Sequence, residues 1–358
     1  MKCAAIALLV VSVLLPAASR ADENELKPVD LLPCTQPCGT WVPPKRLEYA
    51  VHFPMAERRV GDKTATEGYV LVRFTVTAEG RVANPVVERL IGPQDFADAL
   101  LAKMEKWSYQ PATLDGKPIQ SDNNFQVVTF RLSNLIGARV AVKKPYDAAF
   151  ELMKQKKFAD AIVLLKPVLQ LEYLSLYERS MTSFALAANY MALGDNDDAL
   201  WNIRDATLAS GGMLPVQAWE DAVRMRIRLE ALADQYADAL AWFDFLKANR
   251  HLAADDGDAL LMADLRTFLA DPKPIPISAM VPVGREQTSW AHTLLRRAFS
   301  FSGIEGSLDH FDLRCDQREV TMPITAGTQW RAPADARNCT LLVYGSPGTK
   351  FKVTETVN

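Results

Sequence analysis

The sequence predicts a multidomain α+β protein. Three observations carry that expectation: a period-two run closed by a glycine turn near the start, long helical segments with small residues at matched spacing in the middle, and short alternating runs joined by glycine-rich turns at the end. At 358 residues there is room for two or three domains, and 49% hydrophobic residues suffice for packed cores.

The first segment, MKCAAIALLVVSVLLPAASRA, combines Lys2, an apolar run of 13 residues from Cys3 to Leu15 and a small-residue end at Ser19-Arg20-Ala21. That is the grammar of a cleaved secretory signal, residues 1–21, with cleavage after Ala21. A retained anchor is the alternative, but it needs about 20 apolar residues to cross a bilayer. No cysteine directly follows the cleavage point, which argues against a lipoprotein. Removing Lys2 and Arg20 leaves 40 − 2 = 38 basic against 43 acidic residues, a charge of −5. A mildly acidic chain with no basic run excludes nucleic acid as the expected partner.

Residues 22–46, with Cys34-Thr35-Gln36-Pro37-Cys38 and Pro43-Pro44, are expected to form an extended arm. Cys3 leaves with the signal, so Cys34, Cys38, Cys315 and Cys339 remain as an even set in an exported protein. Three pairings are formally possible; sequence distance favours Cys34 with Cys38 and Cys315 with Cys339. The Cys34–Cys38 spacing is one residue longer than a thioredoxin-type pair and lacks the strand-to-helix setting that lowers a thiol's pKa. A small structural loop is the plain reading, and metal capture or redox chemistry by both thiols is the alternative.

Residues 47–136 read as one α+β unit. Val70, Val72, Phe74 and Val76 share one face of a strand, with Tyr69, Leu71, Arg73, Thr75 and Thr77 on the other. Thr77-Ala78-Glu79-Gly80 is the turn, with Gly80 able to take a positive φ. Gly92-Pro93 breaks the second strand, and a helix follows in which Phe96, Leu100, Met104 and Trp107 recur at helical spacing. After a turn at Asp115-Gly116-Lys117-Pro118, a last strand runs from Phe125 to Leu132, with Val128, Phe130 and Leu132 inward. The order is strand, strand, helix, strand.

With Phe53-Pro54, Glu67-Gly68-Tyr69-Val70, Thr77-Ala78-Glu79-Gly80-Arg81-Val82, Trp107-Ser108-Tyr109-Gln110-Pro111, Gly116 and Pro118 in this order, the unit resembles the C-terminal domain of TonB, the periplasmic energy transducer of Gram-negative bacteria. The resemblance implies a ββαβ fold, a periplasmic location and a partner-binding edge at the final strand: Gln126, Val127, Val128, Thr129, Phe130 and Arg131. Such domains bind a short segment of an outer-membrane transporter by adding it as a strand, through backbone hydrogen bonds. The competing possibility is that Phe125–Leu132 pairs with the chain's own Gly137–Val142 and offers no edge.

Residues 145–270 turn to helical patterns. Leu186, Ala187, Tyr190, Gly194, Ala199, Ile203 and Ala206 stand at the spacing of a tetratricopeptide repeat, which this stretch resembles. Ala161 with Leu165 lies 38 residues earlier and Ala239 with Phe243 lies 40 later, which gives three helical hairpins. Trp201, Trp219, Trp242 and Phe243 are either core or the lining of a peptide groove.

Residues 271–284 carry Pro272, Pro274, Pro276 and Pro282 and form a linker or an edge strand. Residues 285–358 suggest a small β domain in which Phe311, Leu313 and Cys315 share one face, as do Cys339, Leu341 and Val343.

No nucleophile elbow, phosphate loop or dinucleotide fingerprint is present, and His52, His251, His292 and His310 lack a second ligand at metal-site spacing. Asp195, Asp197 and Asp198 suit a helix N-terminus. The expectation is a non-enzyme without metal or cofactor, catalytic residues none, and no stable membrane anchor. Its expected partners are periplasmic or outer-membrane protein segments, which it meets as a scaffold or as an accessory of TonB-dependent transport.

Overall fold

The computed structural model describes residues 29–31, 40–47, 67–131, 137–208, 213–249, 256–284, 289–316, 318–334, 336 and 338–357. Cys34 and Cys38, and with them the expected loop, lie outside the described residues, as does Leu132.

The segment expected as an extended arm supplies three short strands, β1 (Val29–Asp30), β2 (Trp41–Val42) and β3 (Lys45–Arg46). Each is held elsewhere. β1 runs parallel to Trp330 and Arg331, β2 antiparallel to Thr113 and Leu114, and β3 antiparallel to Tyr109 and Gln110. Leu31 enters the C-terminal core. The arm is therefore stitched to two distant parts of the chain, because its backbone groups find ladders there.

β4 (Gly68–Val76) and β5 (Val82–Ile91) form the period-two hairpin. At its turn Gly80 has φ +77°, and its N–H donates to the Thr77 carbonyl at 2.9 Å. Helix α1 (Gln94–Met104) covers one face. β6 (Tyr109–Gln110), β7 (Ala112–Leu114) and β8 (Lys117–Ile119) follow; Asp115 and Gly116, at φ +49° and +75°, make the two-residue turn between β7 and β8. β9 (Ser121–Phe130) closes a sheet ordered β5-β4-β9 and starts four residues before the expected Phe125. Its core joins Val70, Val72, Phe74 and Val76 to Leu100, Met104, Trp107, Val128 and Phe130.

Among the described residues seven α-helices come next: α2 (Val140–Lys154), α3 (Phe158–Leu165), α4 (Leu176–Ala192), α5 (Asn196–Thr207), α6 (Val216–Leu232), α7 (Tyr236–Asn249) and α8 (Gly257–Ala270). They begin at Val140 rather than 145. Gly137–Val142, weighed as a strand partner for β9, runs instead into α2, where Val142 is buried. α2 packs on α3, α4 on α5 and α6 on α7, and α8 lies against α6 and α7. Ala161, Ala187, Ala199 and Ala239 are wholly buried at these contacts, since a methyl lets two helices approach where a larger side chain would hold them apart. Asp195 caps α5 by accepting from the Asp198 N–H at 3.1 Å. Trp219 and Phe243 are core, whereas Trp201 and Trp242 are half-buried.

The stretch expected as linker or edge strand contains β10 (Ile275–Met280), an edge strand, where the missing N–H of Pro276 is tolerated. β11 (Ser289–Thr293), β12 (Ala298–Glu305), β13 (Leu308–Cys315), β14 (Arg318–Pro323), β15 (Gln329–Arg331), β16 (Thr340–Gly345) and β17 (Lys350–Thr356) complete two sheets. Their orders are β1-β15-β12-β17-β10 and β11-β16-β13-β14. Phe299, Phe301 and Phe311 fill the space between them, and Cys315 is disulfide-bonded to Cys339 within the same core. Buried His292 joins this unit to the helices, with Nε2 2.6 Å from Glu355 Oε1 and Nδ1 3.1 Å from Gln235 Oε1.

Candidate functional site

β4 is the central strand of its sheet. β9 is bonded to it along one side, and among the described residues no strand pairs with the other side. Strand alternation then sorts the six candidate residues. Val128 and Phe130 turn to the helix-covered face, where the Phe130 ring stacks on Phe96 with centroids 4.2 Å apart. Phe125, Val127 and Thr129 take the opposite face: Phe125 is 54% exposed, Thr129 is exposed, and Val127 packs on the cluster of Tyr69, Leu176 and Met213. The Gln126 side-chain amide donates to the Val127 carbonyl at 2.9 Å, and half-buried Arg131 follows the strand.

The outer face of the sheet is covered at both ends. At the Tyr69 end the phenol donates to Asp205 Oδ1 at 3.1 Å, Arg89 donates to the same oxygen at 2.8 Å, and Ser183 donates to Oδ2 at 3.0 Å. Burial first, and then the Asp205 carboxylate, push the Tyr69 phenol well above its ordinary pKa, so it stays a neutral donor.

At the other end the strand is bulged. Phe74 faces Asn124 but Val76 faces Ser121, so Asp122 and Asn123 together oppose Thr75. Asn123 sits at φ +55° and the Thr75 hydroxyl donates to Asp122 Oδ1 at 2.9 Å. The β13–β14 hairpin docks here. Asn123 Nδ2 donates to the Cys315 carbonyl at 2.9 Å and the Ser121 hydroxyl to the Asp316 carbonyl at 3.0 Å. Arg73 lies between Glu88 at 2.5 Å and Glu319 at 3.2 Å, and Arg314 reaches Glu319 at 2.8 Å.

A separate cleft of about 640 Å³ lies between the helices and the C-terminal β unit, with Trp201, Arg204, Asp234, Met280, Trp290 and Lys352 on its walls. Among the described residues no helix is long and apolar enough to cross a membrane.

Sequence reasoning named the residues of the edge and missed what brackets it: Asp205, Asn123, Arg314 and Glu319. One signal was available. Asp122-Asn123-Asn124 places three turn-type residues where a strand was about to start, and Asn is among the few side chains that accept a positive φ.

The edge, the covering helix and the order of elements can be set beside known proteins. No curated protein matches the chain. Residues 50–132 match the family described as Gram-negative bacterial TonB protein C-terminal, so this part of the chain, the one that carries β4, β5, α1 and β9, is similar to that family.

Proposed function

We propose that the chain is a periplasmic protein-binding protein that performs no bond chemistry and holds an extended segment of a partner along β9. The observation that carries this reading is the position of β9 at the end of the sheet, paired on one side among the described residues. An edge of this kind offers a row of backbone donors and acceptors to another chain, and few side chains are dictated. The helical hairpins, read as tetratricopeptide-like, and the neighbouring cleft would supply a second, weaker contact on the same polypeptide, which raises the effective concentration at the first.

The match of residues 50–132 favours, as a narrower form of the reading, an accessory of TonB-dependent transport whose partner is an outer-membrane transporter. Fluorescent peptides from the plug segments of such transporters test it. Backbone recognition predicts that Thr129→Ala changes affinity by less than about twofold, since the exposed side chain contributes little, whereas Thr129→Pro removes a backbone donor and weakens binding at least about tenfold. Equal loss in both variants, or no binding to the native chain, rejects it.

A further inference from the structure

We propose that the disulfide-tied β13–β14 hairpin fixes where the docking edge begins, so that the chain takes an extended peptide segment of about five residues along Phe125–Thr129 and none along Ser121–Asn124. The inference rests on the reading of β9 as a docking edge and adds its length and one element of its specificity.

An added strand needs a run of extended backbone. Asp122 and Asn123 break that run, because two residues stand where the partner strand offers one and Asn123 is left-handed at φ +55°. The bulge is pinned from outside the sheet: Asn123 donates to the Cys315 carbonyl and Ser121 to the Asp316 carbonyl, while Arg73 binds Glu319 on β14. Cys315 is in turn bonded to Cys339, so the hairpin that grips the bulge is itself anchored.

Beyond Asn124 the strand is regular, pairing residue for residue with β4 from Asn124 to Phe130. The five residues Phe125–Thr129, paired with β4 alone among the described residues, span about 17 Å at roughly 3.3 Å per residue. Its first residue is Phe125, an aromatic ring 54% exposed, with exposed Thr129 at the far end. A partner segment laid beside it places a side chain directly next to the Phe125 ring, and an apolar or aromatic residue there buries the most surface.

Two measurements on the full oxidised chain decide the proposal. The first compares amide hydrogen exchange in the native protein and in the Asn123→Gly/Glu319→Gln variant, where glycine keeps the left-handed backbone while two of the three side-chain grips are lost and the Ser121–Asp316 bond remains. Exchange at Ser121–Asn124 is expected to rise roughly tenfold, the effect of about one lost hydrogen bond, with Phe125–Thr129 unchanged; no change at Ser121–Asn124 overturns the hairpin's role. The second follows the affinity of plug-segment peptides of five, eight and twelve residues. A plateau at five, and a loss of at least about fivefold when the residue beside Phe125 is made Asp, support the inference. Affinity that climbs through twelve residues, with protection spreading over Ser121–Asn124, overturns the inference and leaves the docking reading standing. Failure of every length removes the docking reading itself.

Discussion

Asp205 is the side chain on which the contact between sheet and helices turns. It is 8% exposed and accepts from Tyr69, Arg89 and Ser183 at once, so removing it strands three donors in a poorly hydrated place. Asp205→Ala is expected to lower unfolding free energy by about 3 kcal/mol and Tyr69→Phe by about 1 kcal/mol, read from urea unfolding curves. Glu178 carries a pH signature. Burial alone would raise its carboxyl, but the guanidinium and N–H of Arg139 and the N–H of Ser175 hold it below the ordinary glutamate value. A carboxyl depressed in the folded state contributes stability that is full above its unfolded pKa near 4.3 and is lost as pH falls through the lower folded value. Glu178→Gln should therefore flatten the fall in stability below about pH 4.3, measured by denaturant titrations across that range; an unchanged slope contradicts the assignment.

At the scale of elements, the hairpin turn makes the sharpest demand. A Cβ on Gly80 would lie 2.0 Å from the Tyr109 carbonyl oxygen, and the residue is at φ +77°. Gly80→Ala should cost at least about 2 kcal/mol in thermal or urea unfolding, whereas Gly116→Asn, at φ +75° with open space around it, should cost under about 0.5 kcal/mol. Both glycines were legible as turn residues. So were the apolar faces of β4 and β9, the burial of Ala161, Ala187, Ala199 and Ala239, and the Cys315–Cys339 pair, because each follows from local periodicity or from spacing. The bulge left one local signal in Asp122-Asn123-Asn124, but the pairing of β1 with β15 and the ion pairs of Arg73, Glu88, Arg314 and Glu319 were not legible. They join positions up to 301 residues apart, as between Val29 and Trp330, and no local pattern encodes which distant backbone a short strand will meet.

Across the whole molecule, contacts such as those of Tyr69 with Asp205, Asn123 with the Cys315 carbonyl, and His292 with Glu355 and Gln235 tie the units together. The sheet thus meets its surroundings with β9, like β5, paired on one side only among the described residues, and with its outer face braced at both ends. The disulfide belongs to this scale, since it closes a loop of 24 residues in a small β unit. Replacing Cys315 and Cys339 by Ser should cost about 3.5 kcal/mol on the loop-entropy estimate, seen as a lower urea midpoint for the C-terminal β unit.

The central claim is that β9 receives another polypeptide as a strand. Its most direct test is nuclear Overhauser contacts between a bound, protonated plug-segment peptide and the deuterated full-length chain. The account predicts backbone-to-backbone contacts from the peptide to Val127 and Thr129, confined to β9. Contacts to the helices around Trp201 without any to β9, or a β9 edge already paired with the chain's own backbone, would contradict it.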